Sequence, residues 1–202
     1  ANYPLTIGNL FVDGSLGSDS FDGSMDDVRL YDTALTPADV KNLYDSYSNQ
    51  QLWNYLNRWK LAGDATDDGL EGKDGTPTDM TYQTYPRIDG SHSASFNGSS
   101  SQVEITGADF VNFNKGTYSF WIKANTGYQQ IIRQEEDGDA DDWFGIEVDF
   151  YGRDNLRYYN KDQPVGLDTT KDVADGKWHH VAFVDDRSTI QFYIDGEADA
   201  ST

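Results

Sequence analysis

Carboxylates are the residues of this sequence most able to do chemistry. The 202 residues include 35 Asp and Glu against 15 Lys and Arg, a formal net charge of −20. Nucleic acids and anionic membranes are bound through Lys and Arg, so this charge nearly excludes nucleic acids and disfavours anionic membranes as partners. Of the acidic residues, 29 are Asp and 6 are Glu, which favours turns, caps and hard-cation sites over helices. The sequence has no Cys, which excludes disulfides, thiolate metal sites and cysteine nucleophiles.

The densest group of carboxylates is the segment 135–142, in which six of eight residues are acidic. Their mutual repulsion would be relieved by a divalent cation or by salt. The alternating acids from Asp137 onwards are spaced as in an EF-hand loop, but the required Gly and Glu of such a loop are replaced by Asp142 and Val148. We therefore expect an exposed acidic loop, with a second cation or a polar ligand contact as the alternative.

Aromatic residues beside polar groups are the candidate ligand-binding residues, because binding clefts combine apolar and aromatic walls with a few placed polar groups. Trp143 follows the acidic loop, and Tyr128 lies in a polar turn. Tyr158 and Tyr159 are consecutive in one predicted strand, so one of them must face outward. The candidate ligand-binding residues are Trp143, Tyr128, Arg133, Asp141 and Tyr158.

The elements that must position these residues are mostly strands. Apolar segments are short and alternate with polar residues, as in 117–123 and 191–194, which predicts strands with one buried face. About ten such segments predict an all-β fold, a two-sheet antiparallel jelly-roll sandwich. One short helix is predicted at about 37–47, where Thr36 is a favourable N-cap and Pro37 a favourable first residue. No run of about 18 apolar residues is present, so we expect no membrane insertion.

An ordered set of motifs resembles laminin-G-like jelly rolls of the concanavalin A-like lectin fold. The motifs are Gly23–Val40, Trp59–Asp67, Ser95–Gly98, Ser119–Ile122, Trp178–Val184 and Tyr193–Glu197. The first of them resembles the last strand and the helix of the family, yet it precedes the motif that resembles the family's opening. The order of the motifs is therefore that of a circularly permuted domain.

The permuted order predicts one jelly roll over residues 1–202. Residues 1–48 would supply the last strands and the helix of the usual order, and residues 52–202 the remainder. We expect the two parts to share the same sheets, with Ala1 close to Thr202, because permutation is tolerated where termini lie together at the surface. The alternative is a fragment cut out of phase from a tandem array of such domains.

The resemblance also implies a calcium ion between the opening loop and the last strand of the family. Its ligands would fall on Asp67 and Asp26, with Asp64 as a neighbouring carboxylate and Asn97 beside possible carbonyl ligands. Calcium prefers six to eight oxygen ligands of this kind. Turn formation and solvated charge are the alternative roles of these residues.

Catalytic patterns are incomplete. Glu147-Val148-Asp149-Phe150-Tyr151-Gly152 is similar to the E-x-D-x-x-E strand of retaining glucanases that share the lectin-like fold, but the second Glu, which serves as acid/base, is replaced by Gly152. We expect Glu147 and Asp149 to be outward residues of an alternating strand. His179 and His180 point to opposite faces of a strand and cannot share one metal ion.

These observations favour a non-catalytic, calcium-stabilised recognition module that binds glycan or a glycosylated surface. We expect a monomer, extracellular or at the cell surface of a bacterium, within a larger adhesin or polysaccharide-processing protein. A structural spacer or protein-interaction domain without a sugar site is the alternative, and a glycoside hydrolase or lyase is a third possibility. Fold resemblance alone does not decide among these functions.

Overall fold

The computed structural model describes residues 4–9, 11–12, 15–16, 19–45, 55–84, 92–107, 115–136, 139–148, 152–160 and 163–201. The strands in these ranges are β1 Leu5–Ile7, β2 Phe11–Val12, β3 Ser15–Leu16, β4 Asp22–Tyr31, β5 Asn57–Trp59, β6 Thr76–Thr78, β7 Thr81–Gln83, β8 Ser93–Asn97, β9 Gln102–Ile105, β10 Gly116–Ala124, β11 Gln129–Glu136, β12 Asp139–Val148, β13 Asn155–Asn160, β14 Gln163–Asp172, β15 His179–Asp185, β16 Ile190–Ile194 and β17 Glu197–Ser201. The helix of the described residues is α1, Pro37–Asp45.

Two antiparallel sheets form the sandwich, as the alternating pattern predicts. The seven-stranded sheet has the order β14-β13-β12-β11-β1-β9-β6. The eight-stranded sheet has the order β17-β16-β15-β10-β4-β8-β7, with β5 also paired to β4. The short strands β2 and β3 pair with each other. The predicted all-β jelly-roll class is therefore confirmed.

The core contains alternate side chains from both sheets. On β10, Tyr118, Phe120 and Ile122 join the main hydrophobic cluster. Rings from the two sheets meet there, with the centroids of Tyr158 and Phe183 4.3 Å apart. Large aromatic side chains bury much apolar area each, so a chain with few aliphatic residues still forms a substantial core.

Helix α1 packs on the outer face of the eight-stranded sheet. The Thr36 hydroxyl accepts a hydrogen bond from the Asp39 backbone N–H at 3.2 Å, and the Asp39 carboxylate accepts one from the Thr36 N–H at 3.0 Å, which is the reciprocal pattern of a capping box. Val40 and Leu43 are buried in a second apolar cluster with residues of β4, β15 and β16. The helix ends at Asp45, and residues 46 and 47 of the predicted helix lie outside the described residues.

Residues 4–45 contribute interior strands to both sheets. Strand β1 lies between β9 and β11, and β4 lies between β10 and β8. Ala1 and Thr202 lie outside the described residues, so their predicted proximity stays a prediction, as does the permuted order. In the described part of the chain, no helix combines the length and apolar character that crossing a membrane requires.

One side of the sandwich is closed by a contact between the two outermost strands. The Asp199 carboxylate on β17 accepts hydrogen bonds from the backbone N–H of Thr170 at 2.6 Å and of Lys171 at 3.2 Å, both on β14. The Thr170 hydroxyl donates to the same carboxylate at 2.9 Å. Strand β14 ends the seven-stranded sheet and β17 ends the eight-stranded sheet, so this carboxylate joins the two sheets at their edges.

Candidate ligand-binding face

The outer face of the seven-stranded sheet carries the candidate site, because strand alternation brings polar residues of four strands into register. On β12, Phe144, Ile146 and Val148 point into the core, which turns Glu147 to the opposite face. Register partners across the sheet are Gln130 of β11, Glu147 of β12, Arg157 of β13 and Asp168 of β14. A polar row therefore crosses four strands.

Glu147 is the central carboxylate of this row, and only 2% of the residue is exposed. The Tyr128 hydroxyl donates a hydrogen bond to Glu147 Oε2 at 2.9 Å, and Gln130 Nε2 donates to the same oxygen at 2.8 Å. Gln130 Nε2 also donates to the Tyr128 hydroxyl at 2.8 Å. The expectation that Glu147 faces outward is correct for its direction, although the residue is buried, and Asp149, the other residue expected to face outward, lies outside the described residues.

A second chain of hydrogen bonds reaches Gln130 from the adjacent row. Arg133 Nη1 donates to the Tyr159 hydroxyl at 2.8 Å, and that hydroxyl donates to Gln130 Oε1 at 2.8 Å. The hydroxyl end of the Tyr159 ring lies over Gly145, its register partner, where a Cβ atom would be 2.6 Å from Tyr159 Cζ. Glycine at this position therefore lets the ring lie on the sheet. We call Tyr128, Gln130, Arg133, Glu147 and Tyr159 the tyrosine–glutamate cluster.

Burial sets the ionisation of the cluster. It raises the pKa of the Glu147 carboxyl above its ordinary value, against the lowering effect of the hydrogen bonds from Tyr128 and Gln130. Burial also raises the pKa values of Tyr128 and Tyr159, and the Glu147 charge acts in the same direction. Both hydroxyls therefore stay protonated at neutral pH and remain hydrogen-bond donors.

An open pocket of about 530 Å³ lies where the polar row ends on β14. Asp168 belongs to both, since its carboxylate is 3.6 Å from Arg157 Nε and it also lines the pocket. Arg153, Asp154 and Thr170 are further lining residues. Gln130 and Glu147 are buried, so the exposed polar groups lie at the two ends of the row, at Tyr128 next to β11 and at Asp168 and the pocket on β14.

The structure places two of the five predicted ligand-binding residues on this face. Tyr128 is 37% exposed, and Arg133 is partly exposed beside Tyr159. The prediction that Tyr158 binds ligand is wrong, because Tyr158 is 3% exposed and packs in the core between the sheets. Tyr159 is therefore the outward residue of the pair. The side chains of Asp141 and Trp143 lie outside the described part of the structure. The backbone of the predicted acidic loop is mostly strand, since residues 135–136 end β11 and residues 139–142 begin β12, with residues 137 and 138 outside the described residues.

Gln130, Tyr159 and Glu147 are the cluster residues that were not among the predicted ligand-binding residues. Period-two alternation alone puts Gln130 and Glu147 on a face, but only the strand register shows that they are direct partners. The signal available in the sequence was the pair Gly145 and Glu147 on one predicted strand, since a Gly inside a strand often marks a close approach of another group.

The predicted calcium ligands are engaged in other contacts. Asp67 accepts four hydrogen bonds, from the backbone N–H groups of Arg58, Gly69 and Lys73 and from Asn57 Nδ2, at 2.7 to 2.8 Å. Two donors reach each carboxylate oxygen, so Asp67 as it stands does not fit a role as a calcium ligand.

The other three predicted ligands lie in separate settings. Asn97 Oδ1 accepts backbone N–H groups of its own turn, and Asp64 accepts the Thr66 N–H at 3.1 Å. Asp26 is buried on β4. Within the described ranges, no group of three or more His, Cys, Asp or Glu side chains is arranged to hold a metal ion. Calcium binding stays a prediction.

The two consecutive histidines occupy structural positions. His179 bridges two turns, with Nδ1 2.9 Å from Asp195 Oδ2 and Nε2 3.2 Å from Asp175 Oδ1. His180 Nε2 is 2.9 Å from the Ser119 hydroxyl, but both residues are buried on the sheet face that α1 covers, where Tyr44 and Trp121 flank His180. A buried serine under a helix has no access to substrate, so this pair does not act as a nucleophile and base.

Comparison with protein families decides the membership of the chain. A laminin-G-type family model, described as the concanavalin A-like lectin/glucanases superfamily, matches residues 97–202, slightly more than half of the chain. The chain belongs to this superfamily. The lectin/glucanase match extends from the end of β8 through β17 and includes the whole tyrosine–glutamate cluster. It confirms the resemblance predicted from the motifs. No curated protein and no solved structure matches the chain.

Proposed function

We propose that this lectin/glucanase-like domain is a non-catalytic recognition module that binds glycan on the outer face of the seven-stranded sheet. The observation that carries the proposal is Tyr128. Its ring is partly exposed, while its hydroxyl is held by the buried Glu147 carboxylate at 2.9 Å. A fixed aromatic side chain costs little entropy on binding and offers an apolar surface for a pyranose ring.

The polar groups around Tyr128 support a sugar ligand. Arg133 supplies N–H donors near the Tyr159 hydroxyl, and Asp168 supplies a partly exposed carboxylate at the other end of the row. Sugar hydroxyls both donate and accept hydrogen bonds, so a face that presents donors and acceptors is suited to them. The contacts among Tyr128, Gln130 and Glu147 fix the geometry of the face before a ligand arrives.

An extended, uncharged glycan fits this face best. The exposed groups Tyr128 and Asp168 lie at opposite ends of a row that crosses four strands, which corresponds to about 14 Å at the usual strand spacing. That length accommodates several sugar units rather than a single terminal one. The net charge of −20 disfavours an anionic polysaccharide, because long-range repulsion would slow its approach.

The wider setting belongs to the same proposal. We propose an extracellular or cell-surface module that is part of a larger adhesin or polysaccharide-processing protein, and we propose that calcium stabilises it through ligands other than Asp67, whose two oxygens already accept hydrogen bonds. The interior strands that residues 4–45 supply to both sheets support one permuted jelly roll over residues 1–202. A non-catalytic role is supported by the described partners of Glu147, which are phenol and amide groups, whereas retaining glycosidases pair two carboxyl groups about 5 Å apart.

A glycan array followed by calorimetric titration tests the proposal. Wild-type protein should bind an uncharged oligosaccharide, with affinity that rises from disaccharide to tetrasaccharide. Tyr128→Ala should abolish binding, and Tyr128→Phe should retain part of it because the ring remains. Leu70→Ala, at a side chain that is 71% exposed, is the surface control and should bind like wild type. Unchanged affinity of Tyr128→Ala would contradict the assignment of this face.

A structural spacer is the second candidate, and one observation favours it. The cluster satisfies its hydrogen bonds internally, from Arg133 through Tyr159 and Gln130 to Glu147, as a purely stabilising network would. If the array gives no hits in saturating calcium while Tyr128→Ala lowers the melting temperature, the spacer is correct. Hydrolysis of any polysaccharide that is lost in Glu147→Gln would instead indicate an enzyme.

A further inference from the structure

Residues 4–45, which we call the β1–α1 unit, occupy a slot in the middle of both sheets. In the seven-stranded sheet, β1 is hydrogen-bonded on one side to β9 and on the other to β11. In the eight-stranded sheet, β4 pairs with β10 on one side and with β8 and β5 on the other. Without the unit, each sheet would be divided and would expose unpaired strand edges.

The unit is joined to the slot by core packing as well as by strand pairing. Its apolar side chains in the main core cluster are almost fully buried, and they are Leu5, Ile7, Phe21, Met25, Val28 and Leu30. Two backbone hydrogen bonds outside the regular ladders add to the seam, from the Gly8 N–H to the Ile131 carbonyl at 2.8 Å and from the Gln130 N–H to the Asp19 carbonyl at 2.7 Å. The slot is therefore complementary to the β1–α1 unit in strand register, in side-chain shape and in apolar surface.

The covalent connection between the unit and the slot runs through residues 46–54 alone. We propose that the unit is exchangeable, so that the slot of one chain is filled by the β1–α1 unit of a second copy of the same chain. Every contact that the unit makes within one chain is available unchanged between two chains, because the sequences are identical. Exchange of an identical element is a low-cost route from monomers to closed dimers or to longer chains of molecules.

The concentration dependence of the exchange follows from the tether. A short connection holds the unit at an effective concentration of roughly millimolar, so the closed monomer dominates in dilute protein. When chains fold together at high concentration, units from neighbouring chains compete for the same slots. Because release of the unit requires both sheets to open, exchanged dimers should then persist after dilution.

Two single-cysteine variants of the full chain test the proposal, since the natural sequence has no Cys. Ser24 on β4 and Ser95 on β8 are direct register partners and both are partly exposed, so a disulfide forms only where the unit sits in a slot. Ser24→Cys and Ser95→Cys chains are mixed, refolded together from urea at high concentration and oxidised. We expect a disulfide-linked heterodimer with twice the monomer mass as a major product.

Matched controls separate exchange from random collision. Ser24→Cys mixed with Ser188→Cys, which lies on the exposed turn between β15 and β16, should give only a trace of heterodimer. The double variant Ser24→Cys/Ser95→Cys in dilute solution should give an internally cross-linked monomer, which shows that the substitutions fold in the correct register. Equal heterodimer yields in the two mixtures, with this double variant cross-linked as expected, would overturn the proposal.

Discussion

Replacing Gly145 with Ala is the sharpest test of how the candidate face is built. The backbone of Gly145 lies in an ordinary strand conformation, so an Ala there is not strained by itself. The new Cβ atom would lie 2.6 Å from Cζ and 2.7 Å from the hydroxyl oxygen of Tyr159. Carbon atoms in contact are separated by about 3.5 Å or more, so the Tyr159 ring must move by about 1 Å.

This movement breaks the hydrogen bonds of the Tyr159 hydroxyl. Its contacts with Arg133 Nη1 and Gln130 Oε1 are both 2.8 Å long and would exceed hydrogen-bond range after the shift. One neutral hydrogen bond and one to a charged group together are worth about 3 kcal/mol. Replacing Gly by Ala in a strand returns about 0.5–1 kcal/mol, so we expect a net loss of about 2 kcal/mol.

Urea denaturation and calorimetry measure this loss. For a chain of this length, a loss of about 2 kcal/mol lowers the melting temperature by about 4–8 °C. The deciding control is the same change in a Tyr159→Ala background, where no ring opposes the new methyl group and Gly145→Ala should be neutral or slightly stabilising. An equal penalty in both backgrounds would show that Tyr159 is not the cause and would refute the reasoning.

Three further predictions concern other contacts. Asp67→Ala should lower the free energy of unfolding by about 3 kcal/mol, equally in calcium and in chelator, because buried N–H donors lose their acceptor. If calcium instead raises the melting temperature of the wild type and not that of the variant, the predicted calcium site is supported. The hydrogen bonds of His179 to Asp195 and Asp175 raise the pKa of its imidazole. The stabilisation that protonated His179 provides is therefore complete below pH 6.5 and is lost as the pH rises through the higher folded-state pKa. In thermal melts from pH 5 to 9, His179→Gln should flatten this part of the stability profile. Thr36→Ala should cost about 1 kcal/mol by loss of the N-cap of α1, and a urea midpoint equal to that of wild type would contradict the capping role.

Local patterns in the sequence predicted the fold well, because strands and caps depend on neighbouring residues. In the segment 117–123, the apolar residues of the alternating pattern are the ones that lie in the core. Thr36 and Pro37 correctly predicted where the helix begins. The site was harder to predict because it depends on register between distant strands. The pair Tyr158 and Tyr159 illustrates this: alternation requires one residue on each face, but the core contacts of Tyr158 with Phe144 and Phe183 decide which.

Carboxylates show the same limit in a different way. Asp67 lies in a motif that implies a bound cation, and it does sit at the centre of a converging set of groups. Those groups are N–H donors of the following loop and of β5 rather than oxygen ligands. A carboxylate that organises backbone N–H groups and one that organises calcium have the same sequence signature, since both need a buried acid within a turn-rich segment.

The contact between β14 and β17 has a consequence for solubility. Outermost strands normally present unpaired backbone N–H groups, on which strands of other molecules add and start aggregates. Here the N–H groups of Thr170 and Lys171 already donate to the Asp199 carboxylate. A molecule that approaches this border therefore meets occupied donors and negative charge. We expect Asp199→Ala, unlike wild type, to bind thioflavin and form β-rich aggregates on prolonged incubation at high protein concentration.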